Sequence, residues 1–494
     1  MPFSFKTPGV YLAEKSNSGN SIVQVSTAVP VFIGYTSKAS INGKSLNMQP
    51  IQIQSMSDYE TFFGGGPKPI FTLEEQTNEA DFDVVLNKKK YVLTQNENSR
   101  FYLYNSLKLF FDNGGADCYI ISIGQYDENP DELEITPDKF KEAINLLEGE
   151  EIPTMLLMPD ALLLNEEDSS YYSVLTYGLM HCGKHMNKVA LFDIYNSGLN
   201  LPKNEKNHFL KRFRENIGTD YLSYGACYYP WLRTSIITKN DINYTNFNLE
   251  SLKPIIEKKY ESVLDNIIKS ETEKEKKYWD AGLNNSENYQ TLKKIIANRL
   301  CILPAAPAIA GLYTRVDRTN GVWIAPANRN LNSVIEPTVN ICDKEQEDLN
   351  VNADTGKSIN AIRTFRGRGS AIVWGVRTLD GNSTEWKYIN VRRLFILIEQ
   401  SIKNAAFSVV FQPNDSMTWS IVTATINNFL TNLWRQGALV GNSPSEAFSV
   451  ACGLGTTMDQ NDINEGIMRI QVMAAPSRPA EFIVISFEQK MGEK

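Results

Sequence analysis

Histidine is nearly missing from this chain: three residues in 494, His181, His185 and His208. That scarcity removes most hydrolytic chemistry. A Ser-His-Asp arrangement would have to use one of the three, and no G-x-S-x-G elbow accompanies them. His181 and His185 are four apart, as on zinc-binding helices. Zinc takes three or four ligands with an orienting second shell, and His208 stands alone in a polar loop, so no metal site is expected. Cysteine is sparse as well: Cys118, Cys182, Cys227, Cys301, Cys342 and Cys452 show no paired spacing. They read as reduced, mostly buried thiols of a protein made in the cytosol. No apolar run approaches the roughly 18 residues of a membrane helix, so membrane insertion is not expected. Met1 to Lys6 lacks a basic stretch followed by an apolar core, so no signal peptide is expected. The Gly64-Gly65-Gly66 run lacks the G-x-x-x-x-G-K-[ST] spacing that cradles phosphate, and no cofactor is expected. Positive charge is in deficit, with 49 Lys and Arg against 57 Asp and Glu and a net charge of -8. That balance disfavours a general nucleic-acid binder.

What is present suits a soluble chain of several domains. Hydrophobic residues make up 42% and charged residues 21%, and 494 residues exceed what one core organises. Residues 1–25 read as an extended arm: Pro8 and Gly9 break helices, and Asn17 to Asn20 is turn chemistry. Within that arm, Ile22-Val23-Gln24-Val25 is a short strand candidate. Val29 to Tyr35 is β-branched and aromatic and reads as a buried strand. Apolar spacing then predicts helices at Tyr59–Phe63, Tyr102–Asn113, Phe140–Leu147 and Tyr171–Met180. Between them fall strands at Cys118–Ile123, Thr154–Met158 and Val189–Phe192, with one more near Tyr221–Tyr229. Such alternation indicates an α/β domain with a partly parallel sheet.

A lysine- and glutamate-rich stretch, 255–300, predicts a helical surface insertion. Asp343 to Asp348 is acidic and reads as a loop. After Lys387 two amphipathic helices are expected, one carrying Leu394, Ile398 and Ile402, the other spanning Trp419–Leu433. Strands follow at Phe448–Cys452, Ile467–Val472 and Glu481–Phe487. The reading is therefore a multidomain α+β protein: arm 1–25, α/β domain or domains over 26–355, and an α+β module over 356–494.

Two places carry chemistry. Asp160 and Asp193 each follow an apolar strand, where a carboxylate can bind metal or act as general acid and base. Turns after strands favour aspartate for backbone reasons too. Between Ala361 and Val440 stand nine basic residues against four acidic ones, a local surplus of five. That surplus, on Arg392, Arg393, Lys403 and Arg435 among others, fits a surface docking on an acidic partner.

A further series of short tags runs through the last third. It includes Ala310-Gly311-Leu312-Tyr313-Thr314-Arg315-Val316-Asp317, Gly321-Val322-Trp323-Ile324-Ala325-Pro326, Ile359-Asn360-Ala361-Ile362-Arg363 and Val373-Trp374-Gly375. It continues with Tyr388-Ile389-Asn390-Val391-Arg392-Arg393, Phe411-Gln412-Pro413-Asn414-Asp415 and Ala475-Pro476-Ser477-Arg478-Pro479-Ala480-Glu481-Phe482-Ile483. Thr7-Pro8-Gly9-Val10-Tyr11 and Thr27 to Tyr35 add to it near the N-terminus. In this order the series resembles contractile tail sheath proteins of phages and phage-tail-like injection particles.

The resemblance implies a non-enzymatic subunit that polymerises with itself as stacked hexameric rings around an inner tube. Baseplate and terminator or cap proteins would be further partners, and the tail or tail-like particle its destination. It implies an inner C-terminal domain facing the tube, so Arg392, Arg393, Lys403 and Arg435 are the expected tube-facing positions. It also implies that N- and C-terminal segments join a sheet in neighbouring subunits. The expected linking residues are Val10, Tyr11, Ile22 and Val23 at one end and Phe482, Ile483, Val484, Ile485 and Phe487 at the other. The rival readings are a cytosolic α/β metal-assisted hydrolase using Asp160 or Asp193, and an adaptor or baseplate component of the same particle.

Overall fold

The computed structural model describes residues 22–76, 82–127, 133–198 and 203–483, the first four of the last segment by backbone only. The chain clusters into two compact units. One runs from Ser26 to Ile396 and takes in the described residues after Arg478; the other holds Leu397–Ser477 with the residues up to Val25. The second change of unit along the chain falls inside a single helix, Ile389–Ala406.

The larger unit is built on a nine-stranded sheet. In chain order its strands are β1 (Pro30–Thr36), β2 (Ile51–Ile53), β3 (Cys118–Gln125), β4 (Met155–Leu157) and β5 (Val189–Asp193). They continue as β6 (Gly225–Tyr229), β7 (Arg329–Asn330), β8 (Asn360–Phe365) and β9 (Gly369–Val373). The spatial order is β7-β9-β8-β6-β5-β4-β1-β3-β2. From β8 to β3 every pairing is parallel, while β2, β9 and β7 add antiparallel edges. Every residue of β1, β4, β5 and β6 is buried, as parallel strands covered on both faces require. Alternation along β1 shows the two coverings directly. Phe32 meets Phe110 of α1 (Leu103–Asp112) with ring centroids 5.3 Å apart, and Tyr35 meets Phe140 on the helix Pro137–Asn145 at 6.1 Å. A second helix on the α1 side, α2 (Ala306–Asn320), packs close through Gly311. A Cβ there would stand 2.3 Å from the Phe110 carbonyl oxygen.

Residues 360–373 were expected in the C-terminal module, but they form β8 and β9 at one side of this sheet. Asp343–Asn350 is a helix, not the expected loop. Glu345 accepts from the Cys342 amide in a capping box, and acidic residues suit a helix N-terminus. The stretch 255–300 folds as three helices, Glu261–Lys269, Glu273–Leu283 and Glu287–Leu300. They are more than a surface decoration. With the antiparallel strands Phe71–Glu75, Val84–Leu86 and Lys89–Gln95 they enclose a second apolar cluster around Phe71, Tyr91, Leu264, Tyr289 and Leu292. Among the described residues no helix is long and apolar enough to cross a membrane.

The smaller unit contains the C-terminal part of α3 (Ile389–Ala406), then α4 (Ser416–Arg435) and a two-stranded antiparallel sheet of β10 (Phe448–Ala451) and β11 (Gln471–Ala474). Asp415 caps α4 by accepting from Met417 N at 3.1 Å and Thr418 N at 3.0 Å. Ile22 to Val25 do not form the expected strand; the Val25 amide instead donates to Ser401 Oγ at 3.2 Å. Glu481 to Ile483 are also outside any strand, and Val484 to Phe487 lie beyond the described residues, as do Val10 and Tyr11.

Because the second apolar cluster is separate from the main one, Leu292→Ala is expected to act locally. Truncating this fully buried side chain should cost about 2–5 kcal/mol. Hydrogen exchange should show the loss of protection concentrated in 71–95 and 242–300, with β1 and β4 unchanged.

Candidate assembly surfaces

The two carboxylates proposed for catalysis are helix caps. Asp160 follows β4 and takes three backbone donors: Tyr35 N at 2.8 Å, Tyr102 N at 2.6 Å and Leu103 N at 3.2 Å. The last two open α1, so Asp160 supplies that N-terminus with the negative charge it attracts. Gly34 is required beside it, since a Cβ there would stand 2.5 Å from Asp160 Oδ2. Asp193, ending β5, does the same for α2, accepting from Ala305 N at 2.6 Å and Ala306 N at 3.0 Å. Doubly wound sheets bind ligands outside the carboxyl ends of their strands, often on such helix N-termini. Here those amides are already taken by the protein's own side chains. Neither aspartate lines the cavity of about 800 Å³ between Tyr102, Trp231, Ile242 and Arg299. Asp193 borders only a void of about 10 Å³. Among the described residues, no three His, Cys, Asp or Glu side chains converge as metal ligands. The hydrolase reading therefore finds no support.

The basic surplus also resolves differently from expectation. Arg392 and Arg393, expected on a surface, are buried within their own subunit. The Arg392 guanidinium lies between Trp386 and Tyr224, 3.5 Å and 4.3 Å from their ring centroids, and reaches Ser223 Oγ at 3.1 Å. Arg393 forms a bidentate pair with Asp317, Nη2 to Oδ2 at 2.5 Å and Nη1 to Oδ1 at 3.1 Å. It also donates to the Thr27 carbonyl at 3.1 Å, and Thr27 Oγ1 donates to Asp317 at 2.6 Å. Arg363 pairs with Asp343 at 2.8 Å, and Arg377 with Glu481 at 2.7 Å. Three of the counted cations thus meet acids from outside the counted window. Lys403 and Arg435 remain on the surface of the smaller unit.

That unit carries an apolar exposed surface around Phe411, a residue of one of the sequence tags. The turn between α3 and α4 exposes Phe407, Val410 and Phe411, with Phe411 in the left-handed region at φ +68°, and the first turn of α4 exposes Met417. The signal was the run Val409-Val410-Phe411 directly before a Pro-Asn-Asp turn. In the same unit, Ile22 and Val23 line an apolar groove of about 280 Å³ with Ile402, Ala405, Ile421 and Ile426. The β10–β11 pair has no third strand among the described residues, so each strand presents one outer edge.

Glu481 marks where the chain rejoins the larger unit. Arg377 grips both its oxygens, and Tyr388 and Asn350 donate to it at 3.0 Å and 2.8 Å. Burial alone would raise its pKa, but the bonds from Arg377 and Asn350 outweigh it and hold the carboxyl below its ordinary range. The two residues after it, Phe482 and Ile483, project into solvent.

An α/β body whose helix starts are capped by its own carboxylates, and a small unit with a two-stranded sheet, suit a structural subunit. The chain is similar to contractile tail sheath proteins. Residues 382–490 match the phage tail sheath C-terminal domain family. The tail sheath protein of Vibrio phage KVP40 is 28% identical over 231 residues, 46% of this chain and 31% of that protein. This chain thus matches less than a third of that relative's length. Likeness to solved structures runs the whole length. The sheath complex of the extracellular contractile injection system PVC, in the contracted state, is 25% identical, with 99% of both chains covered and a TM-score of 0.61. The helical sheath of the anti-feeding prophage, also contracted, is 27% identical, covering 99% of this chain and 100% of that one, with a TM-score of 0.61.

Burial raises the pKa of Asp160 to about 6 and of Asp193 to about 7 against the opposing pull of their amide donors. The folded chain then holds these protons more tightly than the unfolded chain. The contribution of these two groups to stability should be fully present near pH 4 and fall as pH rises toward about 7. Urea unfolding of the soluble subunit at several pH values checks this, and the double variant Asp160→Asn, Asp193→Asn should lose that slope. Asp193→Ala, which strips two buried amides, should cost about 2–4 kcal/mol.

Proposed function

We propose that this chain polymerises as stacked hexameric rings around an inner tube and shortens to drive that tube through a target envelope. Its work is structural, without catalysis, nucleotide or metal. Energy would be stored when the extended polymer assembles and released by rigid-body rearrangement of subunits that stay joined. The observation that carries this reading is the β10–β11 pair with its open edges. Such edges take strands from another chain by β-augmentation. A donated strand makes a head-to-tail contact, and a contact that does not close builds a helical polymer. The donors in this reading are Val10 and Tyr11 at one end and Phe482 to Phe487 at the other, with Ile22 and Val23 seating the N-terminal segment in the groove beside Ser401. Made in the cytoplasm, the subunit would assemble into a phage tail or phage-tail-like particle. Baseplate and cap proteins would contact its terminal rings.

Sedimentation and electron microscopy of the purified chain test the proposal. Tubes or ring stacks are expected; a small closed oligomer would sink it. The segment Glu481 to Phe487 has strand composition without glycine. Proline at Val484 would remove a ladder donor. Val484→Pro should therefore leave a soluble subunit with near-native circular dichroism that forms no tubes. Normal tubes from this variant would remove the C-terminal strand from the linking mechanism.

The inner-tube surface in this reading includes Lys403 and Arg435. Exposed ion pairs contribute roughly 0–1 kcal/mol each, so single reversals should be mild and the pair Lys403→Glu, Arg435→Glu clearly weaker in co-assembly with tube. Co-assembly that ignores both salt and the paired reversal would exclude these positions.

A further inference from the structure

The exposed residues after Glu481 begin at one of the most firmly held points of the larger unit. Phe482 and Ile483 are 73% and 79% exposed. One residue earlier, Glu481 Oε1 accepts from Arg377 Nε at 3.0 Å and Asn350 Nδ2 at 2.8 Å. Its Oε2 accepts from Arg377 Nη2 at 2.7 Å and the Tyr388 hydroxyl at 3.0 Å. An exposed ion pair holds little; a bidentate pair with a buried guanidinium and two added donors is another matter.

Arg377 is itself fixed to the large sheet. Its Nη1 donates to the Asn350 carbonyl at 3.2 Å and the Gly381 carbonyl at 3.0 Å. Its backbone amide donates to Asn360 Oδ1 at 2.7 Å, and Asn360 Nδ2 returns a bond to the Arg377 carbonyl at 2.7 Å. The same Asn360 amide reaches the Cys227 carbonyl at 3.2 Å. Cys227 lies in β6 and Asn360 opens β8, so an unbroken line of hydrogen bonds runs from the sheet to Glu481.

We infer that Arg377 and Glu481 form a clamp that fixes the root of the C-terminal segment on its own subunit and so sets the register in which the following residues pair with a second copy of this chain. The inference rests on the sheath-subunit reading. Strand addition is sensitive to register, because a slip of one residue turns every side chain to the opposite face. A tether immediately before the strand removes that freedom. Arg377 and Glu481 are positioning residues, and their loss should damage donation of the strand while leaving β10 and β11 able to accept one.

That asymmetry provides the test. Glu481→Gln keeps the shape and removes the charge; Arg377→Lys keeps a charge and removes the fork. Each is compared with the unaltered chain by circular dichroism, thermal melting and tube length in electron micrographs, alone and in mixtures. The clamped chain is expected to form long tubes. Failure there would overturn the sheath reading and the clamp with it. A folded Glu481→Gln subunit is expected to form no long tubes alone and to shorten wild-type tubes in proportion to its share, because it joins an end and offers no ordered strand onward. A subunit that was only destabilised would melt earlier and leave wild-type tube length unchanged, which would overturn the clamp. So would long tubes from either variant alone. Arg377→Lys carries the same test should Glu481→Gln fail to fold.

Discussion

Every helix that starts at the carboxyl edge of a parallel sheet presents amides that must find acceptors, and the large unit depends on how that demand is met. Asp160 answers it for α1 and reaches back to the Tyr35 amide at the end of β1; Asp193 answers it for α2. The same two side chains thereby tie strands to helices at the point where the strand order turns around β1. In an enzyme of this architecture that crevice is left open for a ligand. Here the amides at those two helix starts are taken by the chain's own carboxylates, which tie sheet and helices into one packed unit.

Much of this was legible beforehand. Buried parallel strands read as continuous apolar runs, and the runs at Val29–Tyr35, Cys118–Ile123 and Val189–Phe192 all became strands of the large sheet. Both helices after Lys387 showed their apolar stripes. Other features were not legible, each for a physical reason. The acidic run after Cys342 looked like solvated loop because its charge drew attention away from its capping chemistry. Ile22 to Val25 has strand composition, but a strand needs a ladder partner, and none of the described residues offers one.

The arginines give the sharper lesson. A count of charge along the chain treats Arg392 and Arg393 as surface, yet their neighbours come from far away in sequence. Tyr224 and Trp386 sandwich one; Asp317 and the Thr27 carbonyl hold the other. Removing either partner would strand a buried cation. Glu481 was noticed in the sequence only as the first residue of an apolar strand, and its tie to Arg377 spans 104 positions. Local patterns report which face of an element is buried. They do not report which distant group waits on that face.

The large sheet ends in very short strands on both sides, Ile51–Ile53 at one edge and the two residues Arg329–Asn330 at the other. Brief edges are poor templates for another chain. In the proposed polymer the nine-stranded sheet would thus be a poor partner for its copies, and the two-stranded β10–β11 pair would be the adhesive one. At the crowding a polymerising protein reaches during synthesis, that inversion would decide between a growing tube and a tangle. Free subunits would then collide along their bulk without sticking, with growth confined to the edges of the small pair.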